Sequence, residues 1–380
     1  MASLPSAAPA EQASNWSPQS PRQPRRACLF IGNIALAGGT ERACATLADT
    51  LVSAGWQVTI LSMHGGTSAY FPVPEGVPLR QVWPAIVRMR WHLPQSLWRI
   101  RQFQRQNKFD AWVDTETALT AYSTLALAGS GVRHIAWENF HLRADLGSWV
   151  RRLGRYCAVH WADCVVLLTE ADQRDWIARF GNPDKLRVIP HCVQIEPSAP
   201  MADAQRDKVV LAIGRLCDQK GFDLLLRSWA LIANNHPQWT LRVVGSGENA
   251  NDLKTLAAEL AIDHRVQWVS ATPAVSDHYA KARIYALSSR FEGFGLVLIE
   301  AMVHGLPIVA FDCPYGPAEI VQHGRTGQLI PAEDVSQFAN GLQEMIIDDN
   351  RRQDMALASV AAATPFRKGF NRDRWLEVLV

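Results

Sequence analysis

The sequence predicts an α/β protein made of two units, each a parallel sheet covered by helices. Three observations carry this. Strand-like and helix-like segments alternate along most of the chain. The alternation breaks once, at a proline-bearing stretch, and then restarts. With 380 residues, 48% hydrophobic and 19% charged, there is enough apolar material for two cores.

Met1–Arg26 is rich in Pro, Ser, Ala and Gln and lacks periodicity, so it reads as a disordered tail. It has no apolar segment suited to a signal peptide, and the chain has no run of about 18 apolar residues that would span a bilayer. Cys28–Gly32 then reads as a strand, Thr40–Ala54 as a helix with Thr40 as its N-cap, and Gln57–Leu61 as a second strand. Helix Gln95–Gln106, strand Ala111–Asp114, helix Thr117–Ala128 and strand Arg133–Trp137 follow. Helix Gly147–His160, strand Cys164–Leu168, helix Glu170–Phe180 and strand Leu186–Ile189 close the first unit.

Pro190–Asp207, with prolines at 190, 197 and 200, is the expected linker. The second unit opens with strand Val209–Ile213, helix Phe222–Asn234, strand Thr240–Val244, helix Asn249–Leu260 and strand Arg265–Val269. A short buried strand over Arg283–Leu287, a helix over Leu296–His304, strand Pro307–Phe311 and helices after Gly316 and Asp334 complete it. Seven cysteines, with no Cys-x-x-Cys and no metal-ligand spacing, read as reduced thiols.

The net charge of +2 conceals an asymmetry. Through Pro200 there are 20 Lys/Arg against 15 Asp/Glu; beyond it, 18 against 21. Gly76–Phe109 holds seven basic residues (Arg80, Arg88, Arg90, Arg99, Arg101, Arg105 and Lys108) and no acidic one, interleaved with Trp91, Leu93, Leu97, Trp98, Ile100 and Phe103. Such a stretch suits an anionic lipid surface. It equally suits a helix with Leu97, Ile100 and Phe103 in the core and its arginines in water.

The most informative segment is EGFGLVLIE, Glu292–Glu300. Gly293 and Gly295 supply a permissive loop, and the helix after it offers unpaired backbone N–H groups to an anion. Glu292 lies before that point and Glu300 about one turn inside, roughly 7 Å along the axis. Carboxylates repel phosphate but accept from sugar hydroxyls. The pattern therefore suits a ligand with a central diphosphate and a hydroxyl-rich ring at each end, a sugar nucleotide.

With its companions, this Glu-x7-Glu pair resembles the retaining glycosyltransferases of the GT-B fold, two Rossmann-like α/β domains facing across a cleft. The group most resembled is family 4, the bacterial cell-surface polysaccharide enzymes. AIGRLCDQKGFD (Ala212–Asp223) looks like the family's diphosphate-binding segment, with Arg215 and Lys220 as its cations; a guanidinium fork and an ammonium suit a leaving diphosphate. AGGTER (Ala37–Arg42) resembles the glycine-rich first loop, where Gly38 and Gly39 let backbone approach phosphate and acceptor. Phe311–Ile330 matches the family's strand, Gly-Pro-x-Glu turn and Gly-x-x-Gly hairpin.

The resemblance implies that Glu292 meets donor-sugar hydroxyls and that Glu300 holds the ribose. Phe294, Gly295 and Leu296 would border the donor at the helix start, and Gly245 would let backbone come near the nucleotide. AWENFH (Ala136–His141) would face the same cleft. Where the family often has histidine after the glutamate, this chain has Asn139, with His141 two residues on; Glu138 is a candidate for the acceptor side or for steadying the loop. The implied extents are a tail at 1–26, an acceptor-side domain at 27–195 and a donor domain at 196–365. A last helix at 366–380 would return to the first domain.

Other motifs compete. GSGENA (Gly245–Ala250) fits the dinucleotide fingerprint G-x-G-x-x-G/A, but the next strand ends Val269–Pro273 without the acid that would take the adenosine ribose. Gly32–Thr40 lacks the Gly-Lys-Ser/Thr of a phosphate loop. Asp114-Thr-Glu116 resembles a metal-binding Asp-x-Asp faintly and a helix N-terminus better. His160, His191, His236, His264, His278 and His304 are scattered and read as structural or solvated.

The expected function is retaining transfer of a hexose or N-acetylhexosamine to a growing, lipid-linked surface glycan. UDP-sugars are the favoured donors, with GDP-mannose next. The expectation includes no metal, no other cofactor and no nucleic-acid partner, and a cytoplasmic protein peripheral on the inner face of the cytoplasmic membrane. A nucleotide-sugar-binding partner protein without turnover stays open, as does a sugar-nucleotide epimerase.

Overall fold

The structure is a computed structural model; it describes residues 24–380 except 88, 146, 194–204 and 273. Most of the expected tail, and the expected unit boundary at 195 and 196, lie outside the described residues.

The first unit contains β1 (Arg26–Ile31), α1 (Gly39–Ser53), β2 (Gln57–His64), β3 (Leu79–Trp83), α2 (Met89–Asn107) and β4 (Ala111–Asp114). It continues with α3 (Thr117–Leu127), β5 (Arg133–Trp137), α4 (Trp149–Trp161), β6 (Cys164–Leu167), α5 (Glu170–Phe180) and β7 (Leu186–Val188). Its seven strands are all parallel, in the order β3-β2-β1-β4-β5-β6-β7. Central strands read as unbroken apolar runs because helices cover both faces: Ala27–Ile31 and Ala111–Asp114 are wholly buried.

The second unit has β8 (Val209–Ile213), α6 (Phe222–Ile232), β9 (Thr240–Val244), α7 (Ala250–Glu259), β10 (Val266–Val269), α8 (Val275–Lys281) and β11 (Ile284–Leu287). Then come α9 (Leu296–Val303), β12 (Ile308–Asp312), α10 (Pro317–Ile320), β13 (Gly327–Pro331), α11 (Val335–Ile347), α12 (Asp349–Ala362) and α13 (Arg372–Val378). Six parallel strands run β10-β9-β8-β11-β12-β13. The two sheets give the expected architecture of paired Rossmann-like domains. The last helix returns to the first sheet: Arg133 donates to the Val378 carbonyl at 2.8 Å, and Trp375 meets Trp137 edge to face at 4.8 Å.

Several local expectations needed correction. Strand β3 escaped notice because Leu79–Trp83 shows no clean alternation, and as an edge strand it needs apolar cover only in part. Helix α2 starts at Met89 rather than Gln95 and absorbs Pro94. The N-cap of α1 is Gly38, not Thr40. The Gly324–Gly327 turn closes on itself, with the Gly324 N–H donating to the Gly327 carbonyl, but it feeds the parallel strand β13 and so makes no hairpin. Short α8 was not expected.

Within the basic stretch, Ile100 is fully buried, and Leu97 and Phe103 pack against the same cluster. Trp98 points outward, 60% exposed. Arg99 donates to the Val82 carbonyl at 2.7 Å and lies over the Trp83 ring; Arg101 donates to the Ala126 and Ala128 carbonyls. These two arginines tie the helix to its own domain.

Candidate active site

Each sheet reverses its strand order once, between β1 and β4 and between β8 and β11. In open parallel sheets, a crevice forms beyond the carboxyl ends of the strands at such a point. The expected motifs fall at these two places, with Gly38 and Gly39 after β1, Arg215 and Lys220 after β8, and Glu292 after β11. The two crevices face each other. A Cβ on Gly39 would stand 3.9 Å from Leu296, and one on Gly293 would press into the Asn139 backbone. Arg42 on α1 forms an ion pair with Glu300 on α9.

On the donor side the chain packs backbone on backbone. A Cβ on Gly245 would collide with the Gly214 carbonyl, and one on Gly247 with Leu216. The 245–249 loop is bonded onto the 214–217 loop, with Leu216 N–H donating to the Ser246 carbonyl and Asn249 N–H to the Leu216 carbonyl, both at 3.0 Å. Gly214 also leaves room for the stem of Lys220, which lies 3.4–3.6 Å from where a Cβ would be. The Lys220 ammonium reaches the Glu292 carboxylate at 2.7 Å, and the same oxygen accepts from the Ser289 hydroxyl at 2.6 Å. Glu292 is 4% exposed, so its orientation is fixed before any ligand arrives. Arg215 is exposed at the rim.

Gly295, at φ 99°, is the N-cap of α9 and admits the left-handed turn that begins the helix. Leu296 follows as the first helical residue. One turn in, Glu300 accepts from the Tyr279 hydroxyl at 2.9 Å, and Tyr279 stacks on His304. His304 in turn donates to the Glu300 carbonyl at 2.7 Å. Phe294 is turned inward between His191 and Phe366, which leaves only its backbone for a ligand. Burial holds His304 down to about 4 and His191 to about 3, so both imidazoles are neutral near pH 7.

The first domain contributes the loop after β5. Glu138 is 1% exposed and is paired with Arg155 of α4 at 2.7 Å. It also accepts from the Thr117 hydroxyl and the Phe140 N–H. Burial alone would raise its pKa; the charge and hydrogen bond of Arg155, with Thr117, outweigh that and hold it below the usual carboxylate range. Arg155 is itself 2% exposed and donates to the carbonyls of His141, Leu142 and Ala144. Of the two roles open for Glu138, this geometry favours steadying the loop.

Asn139 donates to the Thr115 carbonyl at 2.5 Å, while its side-chain oxygen is buried without a partner among the described residues. His141 is 5% exposed, and neither ring nitrogen has a partner there. Burial lowers its pKa to about 4. On α1, Glu41 is raised to about 7, first by burial and further by the charge of Glu116. Glu116 is the N-cap of α3 and pairs with Arg151, while Asp114 is bonded to Trp112, Ser123 and His134. Asp114 and Glu116 thus serve separate networks, and the described residues include no cluster of His, Cys, Asp and Glu suited to a metal.

Sequence reasoning missed Arg155, Tyr279 and Tyr315. Arg155 looks like any helical arginine until its burial is seen. Tyr279 lies on the unexpected helix α8. Tyr315, whose ring stacks on the His141 imidazole with centroids 4.2 Å apart, sits between Pro314 and Gly316 in a segment whose sequence pattern rests on its glycine and proline.

Comparison with known proteins agrees with this fold. Residues 37–197 match the family model "Glycosyltransferase Family 4", and residues 198–359 match "Glycosyl transferases group 1". An uncharacterized glycosyltransferase of Haemophilus influenzae is 34% identical over 84% of this chain and 89% of its own. The amylovoran biosynthesis glycosyltransferase AmsD of Erwinia amylovora is 28% identical over 92% and 98%. Among solved structures, HepE of Anabaena in complex with UDP-glucose superposes with a TM-score of 0.78 at 20% identity, covering 93% of this chain and 99% of its own. The lipopolysaccharide outer core galactosyltransferase WaaB gives 0.73 at 19%, again over 93% and 99%. The chain belongs to the GT-B glycosyltransferases.

Proposed function

We propose that this glycosyltransferase moves a hexose or N-acetylhexosamine from a UDP-sugar to a growing, lipid-linked glycan, with retention of anomeric configuration and without a metal. The observation that carries this is the Lys220–Glu292 pair, with cation and carboxylate held at the mouth of one switch point and Glu300 one turn inside the helix that opens there. An ammonium beside a fixed carboxylate suits a sugar diphosphate: Lys220 and Arg215 face the diphosphate, Glu292 the sugar hydroxyls and Glu300 the ribose. Of the similar proteins named above, one is solved with UDP-glucose, which favours a UDP-sugar donor, and one is named for the lipopolysaccharide outer core, which favours a surface-glycan acceptor.

In this mechanism the bond from the anomeric carbon to the β-phosphate oxygen breaks, and its electron pair leaves with the diphosphate. The acceptor oxygen attacks from the same face and passes its proton to that phosphate oxygen. Lys220, Arg215 and the N–H groups opening α9 stabilise the departing charge, and stabilisation of this kind commonly lowers such a barrier more than any other single effect. Glu138 positions the loop on which Asn139 and His141 meet the donor sugar. A neutral imidazole or an amide can hydrogen-bond a hydroxyl there without titrating near pH 7.

Titration of UDP by calorimetry tests the site assignment. Losing a charge-assisted contact costs about 1.5–3 kcal/mol, so Arg215→Ala and Lys220→Ala are each expected to weaken UDP roughly ten- to a hundredfold, in EDTA as in magnesium. Unchanged affinity in both variants, or binding that needs magnesium, contradicts it.

The lipid-linked acceptor places the protein at a membrane surface. No described helix is long and apolar enough to cross one. Helices α2, α3 and α4 lie side by side on one face of the first sheet, and Trp98, Leu125, Trp149, Tyr156 and Trp161 are exposed on them. Trp98→Ser with Trp149→Ser is expected to reduce cosedimentation with vesicles containing phosphatidylglycerol; sedimentation equal to wild type contradicts this surface.

A further inference from the structure

The turn after β12 reaches across the cleft and touches the first domain at three points. The Tyr315 ring stacks on the His141 imidazole, with centroids 4.2 Å apart and planes at 27°. The Tyr315 hydroxyl donates to Asp175 on α5, which also pairs with Arg143 at 2.9 Å. Glu319 accepts from the backbone N–H groups of Glu170 and Ala171 at 2.9 and 2.8 Å, so a carboxylate of one domain caps α5 of the other.

Helix α5 is also bound to the His141 loop from within its own domain. Asp172 accepts from the Leu142 N–H at 2.8 Å, and Asp172 is 1% exposed. His141 and Leu142 therefore sit between α5 and Tyr315, with Phe291 at the edge of the imidazole, 6.0 Å centroid to centroid. Both ring nitrogens of His141 lack partners among the described residues, so its orientation is set by these flanking contacts rather than by hydrogen bonds.

The turn is fixed to the donor loop as well. A Cβ on Gly316 would collide with the Phe294 carbonyl, and Gly316 has φ 89°. Tyr315 itself has φ 65°, a conformation a bulky side chain adopts only when its surroundings hold it there. The adjacent residues Tyr315 and Gly316 thus join the loop carrying Glu292 to the ring of His141.

We propose that Tyr315, supported by Glu319, is a positioning residue of the donor domain that sets the His141 imidazole for contact with the donor sugar. The N-terminal half of the sugar site is then complete only when the 313–319 turn has docked on α5. This rests on the reading above that the His141 loop meets the donor sugar. Nucleotide binding, made by Arg215, Lys220 and Glu300 elsewhere on the donor domain, does not need it.

A double-mutant cycle tests this, using hydrolysis of UDP-glucose, UDP-galactose and UDP-N-acetylglucosamine as the turnover assay and calorimetry with UDP as the binding assay. His141→Ala and Tyr315→Leu are each expected to lower kcat by about tenfold or more, with UDP affinity held within about twofold. The double variant should be no slower than His141→Ala, because both changes remove one device. Tyr315→Phe keeps the ring and should retain at least about a third of wild-type kcat, and Glu319→Gln should lose kcat without adding to His141→Ala. Losses that multiply in the double variants, or full turnover in Tyr315→Leu, overturn the positioning role while leaving the loop's role intact. If His141→Ala is silent, the imidazole does not meet the sugar, and the inference falls with that assignment.

Discussion

Glu292→Gln is expected to lower turnover about a hundredfold or more, in the range seen when one preorganised electrostatic contact is removed from an active site. The carboxylate is buried and held by Ser289 and Lys220. A glutamine keeps the volume and one acceptor oxygen but loses the charge that, on the proposed reading, faces the donor sugar. Affinity for UDP should hold or rise, because Lys220, freed from its carboxylate, is left to the diphosphate alone. Steady-state kinetics with calorimetry separates the two quantities. If turnover is kept while UDP affinity falls, Glu292 serves only to place Lys220 and does not meet the sugar.

Arg155→Met is the change expected to cost most in stability. It strands a buried Glu138 and removes donors from the carbonyls of residues 141, 142 and 144. Removing one member of a buried pair typically costs about 3–5 kcal/mol, because the remaining charge is left uncompensated in a poorly solvating interior. The double variant Arg155→Met, Glu138→Leu should recover part of that loss, since no charge is then stranded. Thermal unfolding measures both. A melting temperature unchanged in Arg155→Met contradicts the role assigned to the pair; a double variant less stable than the single one contradicts the electrostatic cause.

Much of this was legible in the sequence, for a physical reason. Parallel strands buried on both faces must be continuous apolar runs, so β1, β4, β8 and β12 announce themselves. Where backbone meets backbone only glycine fits, and Gly245, Gly247 and Gly293 stand at such approaches. Edge strand β3 and helix α8 were hidden because partial burial imposes only a weak pattern on them. The cross-domain contacts were hidden more deeply. Nothing in a sequence says that Arg42 will reach Glu300, that Glu319 will cap a helix 149 residues earlier, or that Tyr315 will lie on His141. Such pairings follow from how two finished domains meet, and no local periodicity encodes them. In the basic stretch the apolar spacing was legible, since Leu97, Ile100 and Phe103 pack in the core as that spacing implies, but composition cannot show that Arg99 and Arg101 are bonded to carbonyls of their own domain rather than to water.

The central claim is metal-free, retaining use of a UDP-sugar. Proton NMR of the purified protein in EDTA, incubated in turn with UDP-glucose, UDP-galactose and UDP-N-acetylglucosamine, tests it directly, because the first-formed free sugar reports its anomeric configuration before mutarotation. At least one of the three is expected to be consumed, releasing UDP and the α-anomer first. Release of the β-anomer first would contradict retention. No consumption of any of the three, while GDP-mannose is consumed, would contradict the donor.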